Sequence, residues 1–563
     1  MESMGSIFFN VFLQNSLLQT TEANYRGRET CVMHDLVHDL ASSVLSNNNA
    51  DGNTRYKFHK RELSRIPDEV SRNLRTLLLE GGTSVTIFSN FKYLHNLTLY
   101  GRDYKELPIS IKELIHLRNL NISDTSIANI PEWIGELHHL QTFRSEIWEL
   151  KKLPNTMKYL INLRHLCLKS ETKLPTEIGK LTSLQTLEHF KVSEEKGFQI
   201  EELGSLKNHK GTLEIRHLER VRDKEEAMKA NMLEKSNLSK LVFSWDDERS
   251  IRERNDESVL EGLQPHANLK VLEIRRYQGK RFPAWCKKME VWDGFQGSWA
   301  TFDNLTQIIL RHCSECEEIP KLEHLPNLKS LYLVGLKNVR FIDSSFSNFR
   351  TLVISGLEIK CLPKQLFYNN QNLSELSILE CPVLRELPHG LDTLISLKDF
   401  TIRKCENLKS IGNPRKYQGI LRKLVIVRCT ELMEIPYQIL ESSAPTIKTL
   451  ALEGLRRLKN LPMLIDCLAK SSPRLTQLTI KGVPNFMASG TIESWSFGRL
   501  KTLEIDVSVE WTMETSARIR DTVEVRKYWG RRIAPMAGEP LVSKGVTPIS
   551  LEKVEVSALR APH

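Results

Sequence analysis

From about residue 73 onward one hydrophobic pattern recurs: an apolar residue, two variable ones, an apolar residue, one variable, an apolar residue. It reads LRTLLL at Leu74, Leu77 and Leu79, LHNLTL at Leu94, Leu97 and Leu99, and LRNLNI at Leu117, Leu120 and Ile122. Further copies run through LRHLCL, LKVLEI, LTQIIL, LKSLYL, FRTLVI, LSELSI, LKDFTI, LRKLVI, IKTLAL and LTQLTI to LKTLEI, which ends at Ile505. Several neighbouring copies start 23 or 24 residues apart, as from Leu94 to Leu117 or Leu373 to Leu397, and there are about 18 copies. That period marks a repeat architecture.

The last two apolar positions alternate as strand residues do, so both enter a common interior and the residue between them faces out. Each unit then passes through a second apolar pair, such as Ile130-Pro131 with Ile134 or Leu174-Pro175 with Ile178. A single unit cannot bury its face, whereas stacked units share one continuous core. The pattern predicts an α/β fold, a leucine-rich repeat solenoid. Its curved parallel β-sheet lines the concave face, and short helices and irregular turns form the convex one. Three places depart from the pattern: Ser145 and His189 fall where the third apolar residue belongs, and near Leu213-Ile215 the first is missing.

Ahead of the repeats, Met33, Leu36, Val37, Leu40, Ala41 and Val44 follow helical spacing and predict an amphipathic helix in CVMHDLVHDLASSV, residues 31 to 44. A polar stretch, SNNNADGN, links it to the solenoid. The expected organisation is residues 1–55 as a small helical module with its linker, 56–508 as repeats, and 509–563 as a tail without regular structure. RKYWGRR in that tail admits a nucleic-acid reading, but a solvated terminus explains it as well.

Composition narrows the class. Forty percent hydrophobic and 26% charged residues describe a foldable chain, and a net charge of +10 is too small to imply nucleic acid. No apolar run reaches the roughly 20 residues needed to cross a bilayer. The apolar start is interrupted by Asn10 and Gln14 and has no basic residue before Arg26, unlike a secretory signal. Ten cysteines fit a reducing compartment. Cys313, Cys381, Cys405 and Cys429 each sit three residues past the last strand apolar residue, where a small side chain packs under the turn. The Cys313/Cys316 pair is therefore read as core rather than half of a zinc site.

Candidate chemistry is sparse. His34 and His38 stand one helical turn apart, but Asp35 replaces the glutamate base of a zinc protease and no third ligand follows, so no metal is expected. Asp246 and Asp247 follow an apolar strand as magnesium ligands do, yet they fall on the repeat grid, as the start of a turn. No phosphate-loop motif and no nucleophile elbow occurs in the chain, and no catalytic role is expected. What the repeats do offer is a surface. The position after the first apolar residue is basic at Arg75, Arg118, Arg164, Lys270, Lys329, Arg350, Lys398, Arg422, Lys448 and Lys501. Stacked at about 5 Å per strand, these form a positive row, read either as a docking strip for an acidic protein surface or as a solvated edge that this repeat type favours and that prevents aggregation. Outward strand positions on the concave floor are varied: Arg144, Glu188, Glu273, Tyr332, Glu375, Asp399 and Lys423.

Met33-His34-Asp35 followed by LVHDLA and then by leucine-rich repeats resembles the coiled-coil class of plant nucleotide-binding, leucine-rich repeat disease-resistance proteins. SIFFNVFLQNSLLQ upstream and VLEGLQPHANLKVLEIRRYQGKRFPAWC at 259–286 share the resemblance. It implies that residues 1–55 are a remnant of a winged-helix domain, with His34 facing a nucleotide diphosphate and Asp35 holding the resting arrangement. Full-length family members bind ADP or ATP; the phosphate loop and magnesium acids do not occur in this sequence, so no cofactor is expected for the chain itself. The implied partners are a pathogen effector or a guarded host protein, and the receptor's own or another receptor's nucleotide-binding module. No nucleic acid and no membrane span is expected, and the implied location is the cytoplasm, with the nucleus as a second compartment. The alternative is a non-catalytic adaptor scaffold, for example one recruiting substrates to a ubiquitin ligase, or a truncated decoy receptor.

Overall fold

A computed structural model describes residues 9, 11–15, 17–21, 30–33, 55–60, 68–81, 88–246, 255–293, 298–342, 347–412, 417–461, 463, 464, 468, 472–483, 501–506 and 524–528. Among these, the repeat strands form two parallel sheets. One has seven strands, from Tyr56–Lys60 to Thr186–Leu187, and the other fourteen, from His189–Lys191 to Glu524–Tyr528. Leu97 and Leu99, Leu120 and Ile122, and their counterparts in each unit are buried, while the residue between them faces the open side of the sheet. In the early repeats the opposite layer consists of 3₁₀ turns: Ile109–Glu113, Glu132–Glu136 and Asn155–Tyr159, entered by Pro108, Pro131 and Pro154. A proline there presets φ and has no N–H to leave unpaired. Ile111, Ile134 and Met157 drop from these turns into the core. Later repeats use short helices, Lys224–Met228, Asp256–Gly262, Ala284–Lys288 and Tyr437–Ser443. Asp223 caps the first of them by accepting the Glu226 backbone N–H at 2.9 Å.

Many strands of the longer sheet end in a left-handed residue, and several of these residues donate their N–H to the next repeat. Gly335 bonds Ser355, Gly356 bonds Leu379, and Arg428 bonds Glu453, at 2.7–2.9 Å. Glycine supplies this conformation at 335, 356, 454 and 482, whereas His217, His312, Glu380, Lys404 and Arg428 adopt it despite their side chains. At Gly356 the cost of a side chain is doubled, because a Cβ would sit 3.3 Å from the Gly335 Cα. Gly356→Ala is expected to lower stability by about 1–2 kcal/mol, read as a lower urea midpoint; an unchanged midpoint would show that this turn relaxes freely.

The cysteines at the turn are buried free thiols. Cys405 Sγ lies 3.5 Å from the Arg403 carbonyl and Cys381 Sγ 3.3 Å from that of Leu379, and Cys313 and Cys316 are equally buried.

The three irregular repeats have visible consequences. Ser145 fills an apolar slot and is fully buried, its hydroxyl without a hydrogen-bond partner among the described residues. At 184–190 the third inward residue comes one place late, at Phe190 instead of His189, which reverses the in–out alternation. The strand breaks there: Thr186–Leu187 pairs back with His165–Leu168, and His189–Lys191 pairs forward with Gly211–Arg216. In the next unit the missing apolar residue is His209, fully buried, followed by a register shift at Gly211/Thr212.

Two expectations at the ends need correction. Thr30–Met33 is a β-strand, antiparallel to Leu18–Thr21 with Leu18 opposite Met33, so a helix cannot begin at residue 31. Hairpin pairing satisfies the backbone of Thr30, Cys31 and Val32, residues suited to a strand, where periodicity alone read the first helical turn. Residues 34–44 lie outside the described residues. In the tail, Glu524–Tyr528 adds a parallel strand to Thr502–Asp506, beyond the expected limit of the repeats at 508. An open sheet edge offers unpaired backbone groups, and the alternating EVRKY segment supplies a partner.

Candidate functional site

The basic positions stack as one ladder along the edge where each strand begins. The carbonyl of each member accepts the N–H groups of the next: Arg75 from His95, His95 from Arg118, Arg118 from Gln141 and Gln141 from Arg164. The same bonds run from Lys270 through Thr306, Lys329, Arg350, Ser374, Lys398, Arg422, Lys448 and Thr476 to Lys501. All ten residues named from the sequence therefore occupy one structural position. The ladder also includes His95, which the row of basic positions left out, and Lys210, whose N–H donates to Gln185 at 2.8 Å. Lys210 was hidden because its unit carries His209 in the apolar slot and an extra residue at Gly211.

Two stretches of this edge have further character. At its start Tyr93, His116 and His139 stack with ring centroids 6.0 and 6.1 Å apart, and Arg75 lies 5.0 Å from the Tyr93 ring. Burial, with Arg118 and Arg75 beside it, lowers the pKa of His95, the mark of a locally positive field. Farther along, a groove of about 640 Å³ is lined by Lys329, Arg350, Lys398, Asn372, Ile395 and Ile420. Its isoleucines are exposed, and among the described residues none of its three cations has an ion-pair partner.

The open face is less uniform than its strand positions suggest. One register row runs Glu214, Val242, Glu273, Ile309, Tyr332, Val353, and another runs Glu375, Asp399, Lys423. Arg144 shares the first row's position in the earlier sheet and is exposed, and Tyr332, Glu375 and Asp399 are half-buried. Burial, reinforced by Asp399, raises the Glu375 carboxyl. Glu188 sits at the strand break, half-buried.

Glu273 is the exception, because it is not available to a partner. It is only 2% exposed, between Val242 and Ile309 on the adjoining strands. Its carboxylate meets Arg275 at 2.7 Å, Arg311 at 3.1 Å and Lys240 at 3.4 Å. Burial pushes its pKa up, and the cations, Arg275 first, outweigh that and hold it low. Glu214 repeats the motif, bound by His189, Arg216 and Arg275. A strand position shows which way a side chain points but not whether its neighbours close over it.

Met33 ends the described hairpin strand, and His34 and Asp35 lie outside the described residues.

The stacked parallel strands, left-handed turns and open edge define a leucine-rich repeat scaffold, a class that binds through extended surfaces. Residues 200–336 match the family model of R13L1/DRL21 leucine-rich repeats, and residues 1–41 match the winged helix domain of disease resistance proteins. RGA1 of Solanum bulbocastanum is 32% identical over 479 residues, covering 82% of this chain and 46% of that protein. Disease resistance protein RGA2 of the same species is 29% identical over 483 residues, covering 77% and 45%. The chain belongs to the plant disease-resistance proteins with leucine-rich repeats, and it spans about half the length of the curated relatives it matches. Among solved structures, the functional domain of InlJ from Listeria monocytogenes aligns with a TM-score of 0.45 at 12% identity, over 71% of this chain and 75% of that one. Among the described residues no helix is long and apolar enough to cross a membrane.

Proposed function

We propose that this chain is the sensing and restraining repeat region of a plant immune receptor, acting by protein binding rather than catalysis, in the cytoplasm. Its partners are a pathogen effector or a guarded host protein, and the receptor's own nucleotide-binding module in the resting state. The observation that carries this reading is the backbone-bonded row of cations along one sheet edge, with a groove whose lysines and arginine have no ion-pair partner among the described residues. Such an edge favours a partner with an acidic surface and an apolar anchor for Ile395 and Ile420. Recognition then shifts the population from restrained to released, by as much as the partner's contacts differ between the two states. His34 and Asp35, by resemblance, would report nucleotide only when a complete module supplies the phosphates.

The test is co-purification of this chain with a separately expressed nucleotide-binding module of a relative. Lys329→Glu, Arg350→Glu and Lys398→Glu together should weaken association more than tenfold and make it less sensitive to salt. Fold stability should change little, since all three sites are at the surface. Retention of full affinity by the triple variant would sink the docking role of this edge.

A further inference from the structure

We infer that His217, Glu219 and Asp246 form a divalent-metal site at the mouth of the cleft opened by the sheet break. Where strand pairing switches at Glu188, the chain diverges beyond the carboxyl ends of the parallel strands. A cleft of about 280 Å³ results, with Leu168, Leu174, Phe198 and Lys191 among its walls and His217 at its edge.

The donors come from successive repeats. His217 follows strand Gly211–Arg216, Glu219 comes two residues later, and Asp246 lies just past strand Leu238–Ser244. His217 Nδ1 is 3.0 Å from Glu219 Oε1 and 3.5 Å from Asp246 Oδ2, and all three donor atoms lie within 4.8 Å of one another. Donors about 3.0–3.5 Å apart are the edges of a tetrahedron or octahedron with metal bonds of about 2.0–2.2 Å. The carboxylate of Glu219 is already oriented. Its other oxygen accepts the Asp246 backbone N–H at 2.9 Å, which leaves Oε1 facing the imidazole. Among the described residues no lysine or arginine pairs with Glu219.

One imidazole and two carboxylates suit zinc or manganese better than calcium, which prefers all-oxygen cages. Three protein ligands leave at least one coordination position open. The sequence points to Asp246 only as the start of a turn, because its two co-ligands lie 27 and 29 residues upstream. The site stands apart from the partner-binding edge and does not depend on that reading.

The experiment is calorimetric titration of ZnCl₂ into the full chain after dialysis against a chelator. Wild type should bind zinc, and His217→Asn and Glu219→Gln should each abolish one equivalent or weaken it at least tenfold. Asparagine keeps the left-handed backbone of residue 217 (φ 59°), so the variant is expected to fold. His312→Ala, at the same turn position in a later repeat, should bind as wild type does. Absence of zinc binding by the wild type, or an unchanged isotherm in both His217→Asn and Glu219→Gln, overturns the assignment.

Discussion

Acidification from about pH 6.5 to about pH 4 is expected to destabilise the repeats around the strand break by about 3 kcal/mol through one residue, His209. This imidazole fills a slot that other repeats give to leucine, and it is fully buried. Burial, with help from nearby Lys235, lowers its pKa to about 4, although its bond to the Leu187 backbone opposes the shift. Between about 4 and its ordinary value of 6.5, the unfolded chain binds a proton here that the folded chain refuses. The unfolded state therefore gains as pH falls through that window, and the stability present above pH 6.5 is gone near pH 4. Urea unfolding at pH 7, 5.5 and 4.5, compared between wild type and His209→Leu, isolates this contribution. The variant should resist acid better, and parallel pH profiles would show that His209 is not the sensitive group.

Replacement of Glu273 by alanine should cost about 2–3 kcal/mol, toward the lower end for a broken buried ion pair because Arg275 and Arg311 keep partial access to water. The loss has two parts: the carboxylate's bonds to three cations disappear, and those cations are left facing one another between Val242 and Ile309. Because its folded pKa is lowered, the stabilisation from Glu273 is present above the ordinary carboxylate range and declines as pH falls below it. Glu375→Ala, on the more open part of the face, should change stability by less than about 0.5 kcal/mol. Differential scanning fluorimetry on the two variants decides between structure and recognition at position 273. Equal, small shifts would return Glu273 to the recognition surface.

These outcomes bear on how the sheet surface is divided. The Glu214–Glu273 cluster engages Arg216, Arg275 and Arg311 internally, so the positive character of the middle of the sheet is partly offset. Cations remain for a partner along the edge, at Lys329, Arg350 and Lys398, and on the face at Lys423 and Arg144. A partner that reads this protein by charge would then meet the edge first, with the open face contributing shape through Tyr332 and Val353.

Much of this was legible in the residues. The repeat pattern sets the strands, the buried pairs and the cysteine turns, because period-2 alternation and a fixed repeat length leave one way to stack the units. The basic row was readable for the same reason, since equal positions in equal repeats must line up. Even the irregular units were flagged as departures, although their consequences were not. A late apolar residue at Phe190 says that the alternation slips; it does not say that the strand will pair backward on one half and forward on the other.

By itself, then, the chain's sequence determined the class of fold, the family and the rows into which its charges fall, all of which follow from local periodicity and motif. Only the tertiary structure decided which of those charges are spent inside the protein. Glu273 and Arg144 look alike as outward strand positions, but burial and ion pairing depend on residues one or two repeats away. The same distance hid the His217, Glu219 and Asp246 cluster, since contacts made across the stack leave no period in the chain.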